Sequence, residues 1–189
     1  MRRFAVCLML TAAVAAGAAR SGSQTAAPLS GPPASEIEAV AKACDGSIRG
    51  YSIDAPLDHL LPTHGIYVEG YGAVFVTDVD LVSLPPLFGF GGHVTKADLA
   101  RIHDGKLKRL PDVRKLMVQM LQGAAGMLAH LQPDEAILLQ FNFYSLDMED
   151  RTGLPKSMSV QGKKRDLLDA AARKQALDAA SGLVKVRVE

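Results

Sequence analysis

Residues 71–82, YGAVFVTDVDLV, constrain the fold most, because they read as a strand and as little else. β-Branched and aromatic side chains dominate, with Gly70 just before the stretch and Gly72 near its start. On the two-residue period of a strand, Ala73, Phe75, Thr77, Val79 and Leu81 share one face. Val74, Val76, Asp78, Asp80 and Val82 share the other. The first face is apolar but for one threonine. The second begins apolar and turns acidic. That pattern predicts a central strand covered fully on one side and partly on the other, with its far end reaching water.

The remaining elements follow from period and punctuation. Before the strand, Ser35 and Glu38 fit a capping box that opens a helix over 36–44. Ile37, Val40 and Cys44 lie on its stripe, and Asp45-Gly46 stops it. A short strand at 48–53 and one helical turn at 56–61, ended by Pro62, come next. Residues 66–68 either pair with the central strand through 69–72 or continue into it across a bulge; the glycines allow both.

After the central strand, Thr95 with Asp98 opens a helix that Gly105 ends. Pro111 sits at the first position of a second helix, whose Val113, Leu116, Met117, Met120, Leu121, Ala124, Met127, Leu128 and Leu131 keep a 3.6-residue period. Gln132-Pro133 breaks it. Strands at 136–146 and 157–163, a helix at 166–180 and a strand at 183–188 complete the chain. The first of these strands turns Ile137, Leu139, Phe141 and Phe143 inward, and the second turns Met158 and Val160 inward.

From residue 71 the order is β-α-β-β-α-β, and each strand has one apolar face. This predicts an α+β fold: a mostly antiparallel sheet with helices packed on one face, in the order of ferredoxin-like domains, plus an N-terminal helix. An internal duplication of ββα units is the alternative. It rests on a shared Lys-x-Asp-Leu, at residues 96–99 and 164–167.

Residues 1–18 have the anatomy of a secretory signal peptide. Arg2 and Arg3 precede an apolar run over 4–16, too short to span a bilayer, and Ala16-Gly17-Ala18 supplies the small residues of a cleavage site. Residues 19–34, rich in Ala, Ser, Gly and Pro, read as a disordered lead-in, which leaves 35–189 as a single domain. This predicts a secreted or periplasmic protein with no transmembrane segment in the mature chain. Taking Arg2 and Arg3 from 21 basic side chains leaves 19 against 20 acidic ones, a balance that argues against nucleic acid as partner. With Cys7 removed, Cys44 is the only cysteine left. It has no internal disulfide partner and is expected to be buried as a small hydrophobe.

Few residues suggest chemistry. Asp78 and Asp80 share a strand face about 7 Å apart by strand rise, a spacing that suits a hard cation or acid–base work as well as a plain solvated strand end. None of His59, His64, His93, His103 and His130 has a recognised zinc spacing. Of the five, His93, after two glycines, and His103, beside Asp104, stand nearest a candidate site. No cofactor motif is present. The loop at 83–93 carries Leu84, Leu87, Phe88 and Phe90 among prolines and glycines, as a lid or contact loop would. The functional expectation is an exported domain that binds a small-molecule or protein partner without catalysis. The rival is an exported hydrolase or metal-dependent enzyme using Asp78, Asp80 and His93.

Overall fold

The computed structural model describes residues 31–52, 56–82, 95–173 and 182–189. The expected signal peptide, most of the expected lead-in, and the expected contact loop with Leu84, Leu87, Phe88, Phe90 and His93 lie outside them.

Among the described residues, three helices and a five-stranded, mostly antiparallel sheet make an α+β fold. The helices are α1 (Ala34–Arg49), α2 (Lys96–Met127) and α3 (Lys164–Ala172). The strands are β1 (Asp58–Val68), β2 (Gly72–Asp80), β3 (Ala136–Phe143), β4 (Ser157–Lys163) and β5 (Lys185–Val188). The sheet runs in chain order, and only β2 and β3 pair in parallel. The expected β-α-β-β-α-β succession is present from β2 onward. The ferredoxin-like split is not, because β2 and β3 are hydrogen-bonded neighbours with no strand inserted between them. The chain also reads as two hairpin–helix units followed by β5, with helices of 32 and 9 residues. Lys96 and Lys164 each begin their helix, so the two Lys-x-Asp-Leu segments occupy the same first turn.

The central strand has the two faces its pattern predicts, except that its acidic far end does not reach water, because Asp80 is buried. Ala73, Phe75, Thr77, Val79 and Leu81 are all buried, while Val74, Val76 and Asp78 are half-buried. Phe75, Val79, Leu116, Met120 and Phe141 belong to one core with Ile137, Leu139, Met158, Val160 and Leu167, and Val186 packs against its margin. The β1–β2 turn uses Gly70 at φ 76°. Gly72 follows at φ 133°, and any Cβ there would lie 1.9 Å from the Ala136 carbonyl oxygen of β3. Only glycine lets the two strands meet at that point.

Several boundaries differ from the sequence pattern, each for a packing reason. α1 starts at Ala34 after Pro33, with no side-chain cap, so Ser35 and Glu38 form no capping box. It continues past Asp45-Gly46 because Ile48, fully buried, extends the stripe of Ile37, Val40 and Cys44. That removes the strand expected from residue 48. The turn expected at 56–61 is instead the start of β1. This edge strand accommodates Pro62 where its register shifts between Leu61 and His64.

The two helices expected on either side of Gly105 and Pro111 are one. The Thr95–Asp98 capping box does open it. Glycine and proline in a helix cost about 1 and 3 kcal/mol, which burial of Ile102, Val113, Met117 and Leu121 along the same helix outweighs. The helix ends at Met127, before Gln132-Pro133.

Candidate functional site

The two strand carboxylates come to different ends. Asp78 stays on the sheet face away from the core and accepts a hydrogen bond from Asn142 Nδ2 at 2.8 Å. Asn142 Oδ1 in turn accepts from Gln140 Nε2 at 2.9 Å. Asp80, expected to be solvated at the strand end, is 3% exposed. Its Oδ1 accepts from the backbone N–H of Val82 and lies 3.1 Å from Lys106 Nζ. His93 lies outside the described residues.

Lys106 explains the burial of Asp80. It sits on α2 four residues after Ile102, in a stripe that is otherwise apolar, and is itself 1% exposed. Its ammonium meets Asp80 Oδ1, Glu149 Oε2 at 2.9 Å and the Tyr144 carbonyl oxygen at 2.9 Å. Three N–H donors thus find three acceptors. Glu149 Oε2 also accepts from Leu146 N–H, while Glu149 Oε1 is buried without a hydrogen-bond partner among the described residues. Burial pushes the Asp80 carboxyl above its ordinary range, outweighing the attraction of Lys106, and the nearby charge of Glu149 adds to the rise.

Neighbouring turns of α2 extend this grip. His103 Nδ1 lies 2.8 Å from the Asp150 carbonyl oxygen, and Arg109 donates to the carbonyls of Leu81 and Pro56. The cluster therefore ties α2 to the segments that leave β2 and β3 at their carboxyl ends. A saturated ammonium between buried carboxylates works as a clamp.

Of the other described histidines, His59 and His130 lie against α1. Asp45 Oδ1 accepts from Thr63 N–H, and His59 Nε2 lies 3.1 Å from it without forming a hydrogen bond. His130 bonds Glu36 through both its ring Nδ1 and its backbone N–H, and this draws the Glu36 carboxyl below its ordinary range. His64 is exposed on β1. Cys44 is buried as expected, and burial pushes its thiol up to about 12, far from a reactive thiolate. It lines a groove of about 170 Å³ between α1 and α2 with Val40, Leu116, Met120 and Met127. Among the described residues, no group of three or more His, Cys, Asp or Glu is placed to hold a metal ion, and no helix is long and apolar enough to cross a membrane.

Among the described residues, one face of the sheet has no helix packed on it. The described helices pack on the face carrying Phe75, Leu139 and Val160. On the opposite face the register sets out three rows across the strands. Ile66, Val74, Leu138, Gln161 and Lys185 form the first. His64, Val76, Gln140, Ser159 and Arg187 form the second. Leu61, Asp78, Asn142 and Ser157 form the third. The β1–β2 half is mostly apolar, with Ile66 58% and Leu61 53% exposed. The β3–β4 half is mostly amide and hydroxyl. Strand alternation alone turns Gln140 and Asn142 away from inward Leu139 and Phe141; their juxtaposition with Asp78 depends on the parallel pairing of β2 and β3.

No family model matches this chain, nor does any curated protein or solved structure. The class that its architecture defines is an α+β protein in which, among the described residues, helices pack on one face of the sheet.

Proposed function

We propose that the protein is an exported domain of the cell envelope or medium that binds a partner or ligand without catalysis, and that the open face of its sheet is the binding surface. The observation that carries this is the three-row face, an apolar half beside a hydrogen-bonding half, with exposed Ile66 and Leu61 at its edge. Contiguous apolar surface of this kind marks interaction sites. Engagement of Asp80 by Lys106 supports a structural role for that carboxylate, and the tie from Asn142 does the same for Asp78.

A photo-crosslinking residue at Gln140, in protein made in its native cell, should give covalent adducts, and the same residue at exposed Lys42 on α1 should not. Equal labelling at the two positions, or none at Gln140, would reject the open face as the binding surface. Export rests on residues 1–18. Protein recovered from the periplasm or medium should begin between about Ala19 and Gln24 on N-terminal sequencing. An intact Met1 or Arg2 terminus would rule out cleavage.

A further inference from the structure

The buried cluster of Asp80, Lys106 and Glu149 holds the parts of a condensation reaction as well as those of a clamp. We propose that Lys106 and Asp80 join in an intramolecular amide bond, with Glu149 as the catalytic residue that moves the protons. The inference stands apart from the binding surface proposed above.

The geometry supplies each part. Lys106 Nζ lies 3.1 Å from Asp80 Oδ1, and both side chains are buried, so an amine and a carboxyl are held together away from water. Fixing two reactants in this way replaces a bimolecular encounter and lowers the barrier to their reaction. Glu149 Oε2 touches the same nitrogen at 2.9 Å. Its other oxygen, Oε1, is buried without a hydrogen-bond partner among the described residues, which leaves Glu149 room to carry a proton in transit. The Val82 N–H donates to Asp80 Oδ1, whereas Oδ2 accepts no hydrogen bond among the described residues. One oxygen is fixed to stay and the other is free to leave.

The reaction balances within these groups. A proton passes from the Lys106 ammonium to Asp80 Oδ2, leaving a neutral amine beside a neutral acid. Burial, which raises the Asp80 carboxyl, favours that transfer. The nitrogen lone pair then bonds to Asp80 Cγ, and the carbonyl electrons move to Oδ1, where the Val82 N–H stabilises the oxyanion. Glu149 takes a second proton from the nitrogen and gives it to Oδ2. That oxygen leaves as water while Oδ1 re-forms the carbonyl, and Glu149 ends as it began. The amide also removes an ion pair from a buried setting, where its desolvation is costly.

Closure is slow, because an ammonium satisfied by three acceptors seldom gives up its proton. Freshly folded protein therefore holds the open cluster, and the stability and pH behaviour of its free side chains belong to that form. Aged protein holds the bond, which staples α2 to the end of β2.

The folded, full-length chain should lose one water during prolonged incubation at neutral pH, read as intact mass in denaturing solvent. Proteolysis should then release a branched peptide that joins the segment containing Asp80 to the one containing Lys106. The chain incubated in urea should keep its full mass, as should folded Glu149→Gln and Lys106→Arg. A wild-type mass that never changes would overturn the inference. So would a lost water that maps to Asp45-Gly46 or Asp104-Gly105, where a backbone succinimide can form instead. Loss of water in Glu149→Gln at the wild-type rate would overturn the catalytic role given to Glu149.

Discussion

Replacing Lys106 with methionine should lower the unfolding free energy by about 3–5 kcal/mol, because it leaves two carboxylates buried with no cation between them. Glu149 is 5% and Asp80 3% exposed, so water cannot readily take the place of the ammonium. Urea unfolding should show an earlier midpoint with an unchanged slope. Adding Asp80→Asn and Glu149→Gln to Lys106→Met should recover much of the loss, since the uncompensated charges are then gone. A loss under about 1 kcal/mol for Lys106→Met alone would mean that the clamp contributes little; a typical mutation already costs about that much.

The same cluster has a defined pH signature. The Asp80 carboxyl is held above its ordinary 3.8, so the folded protein binds that proton more tightly than the unfolded chain does. Its ionisation therefore subtracts stability as pH rises from 3.8 through the raised value. Asp80→Asn removes this slope, and the variant should gain on the wild type across that window. Glu36 works in the opposite sense. Its carboxyl lies below its ordinary 4.5 because of His130, so its contribution is complete above 4.5 and is lost as pH falls through the lowered value.

The second large effect is expected in the core. Phe141 is fully buried on β3, on the core face beside Thr77 of β2 and Met158 of β4. Phe141→Ala should cost about 3–5 kcal/mol, combining the lost transfer energy with the cavity left behind. Leu116→Ala should cost about 2–5 kcal/mol by the same reasoning, toward the low end because Leu116 borders the α1–α2 groove. Calorimetric or denaturant unfolding of both variants checks this. If each cost under half a kcal/mol, the core assignment on these two elements would be wrong.

Legibility in the sequence followed how local each cause was. β4 was readable to the residue, and the two faces of β2 were readable as far as Asp78, because alternation is a property of the strand itself; the burial of Asp80 was not. Where burial competes with a local breaker, the sequence shows the breaker and not the burial. Gly105 and Pro111 look like a helix end, but Ile102 and Val113 on either side are held by the core, and the helix runs through. Pro62 looks like the end of a turn, but it lies in an edge strand at an irregular position, where a missing N–H disturbs little.

The clamp was legible in part. Asp80 stood out by its place on the strand, yet its partner lies on α2 and the third member in the loop after β3. One signal was present: Lys106 occupies a buried helical stripe four residues after Ile102. A lone cation in that position implies a buried anion somewhere. It does not say which of the chain's 20 acidic residues supplies it. The open face was harder still. Its polar and apolar halves lie side by side only because β2 and β3 pair in parallel, and that pairing depends on a crossover no local pattern specifies.

The parallel seam also bears on how the molecule assembles. The β1–β2 and β3–β4 hairpins each join neighbours in the chain, so each can form from local encounters. Joining β2 to β3 is different, because the whole of α2 and its flanking segments must first be drawn into a closed loop, with an entropic penalty that no contact offsets until the strands meet. A long helix shortens that search by replacing a floppy tether with a stiff rod. The length of α2, and its continuity through Gly105 and Pro111, then has a kinetic meaning: it sets the span over which the two hairpins find each other.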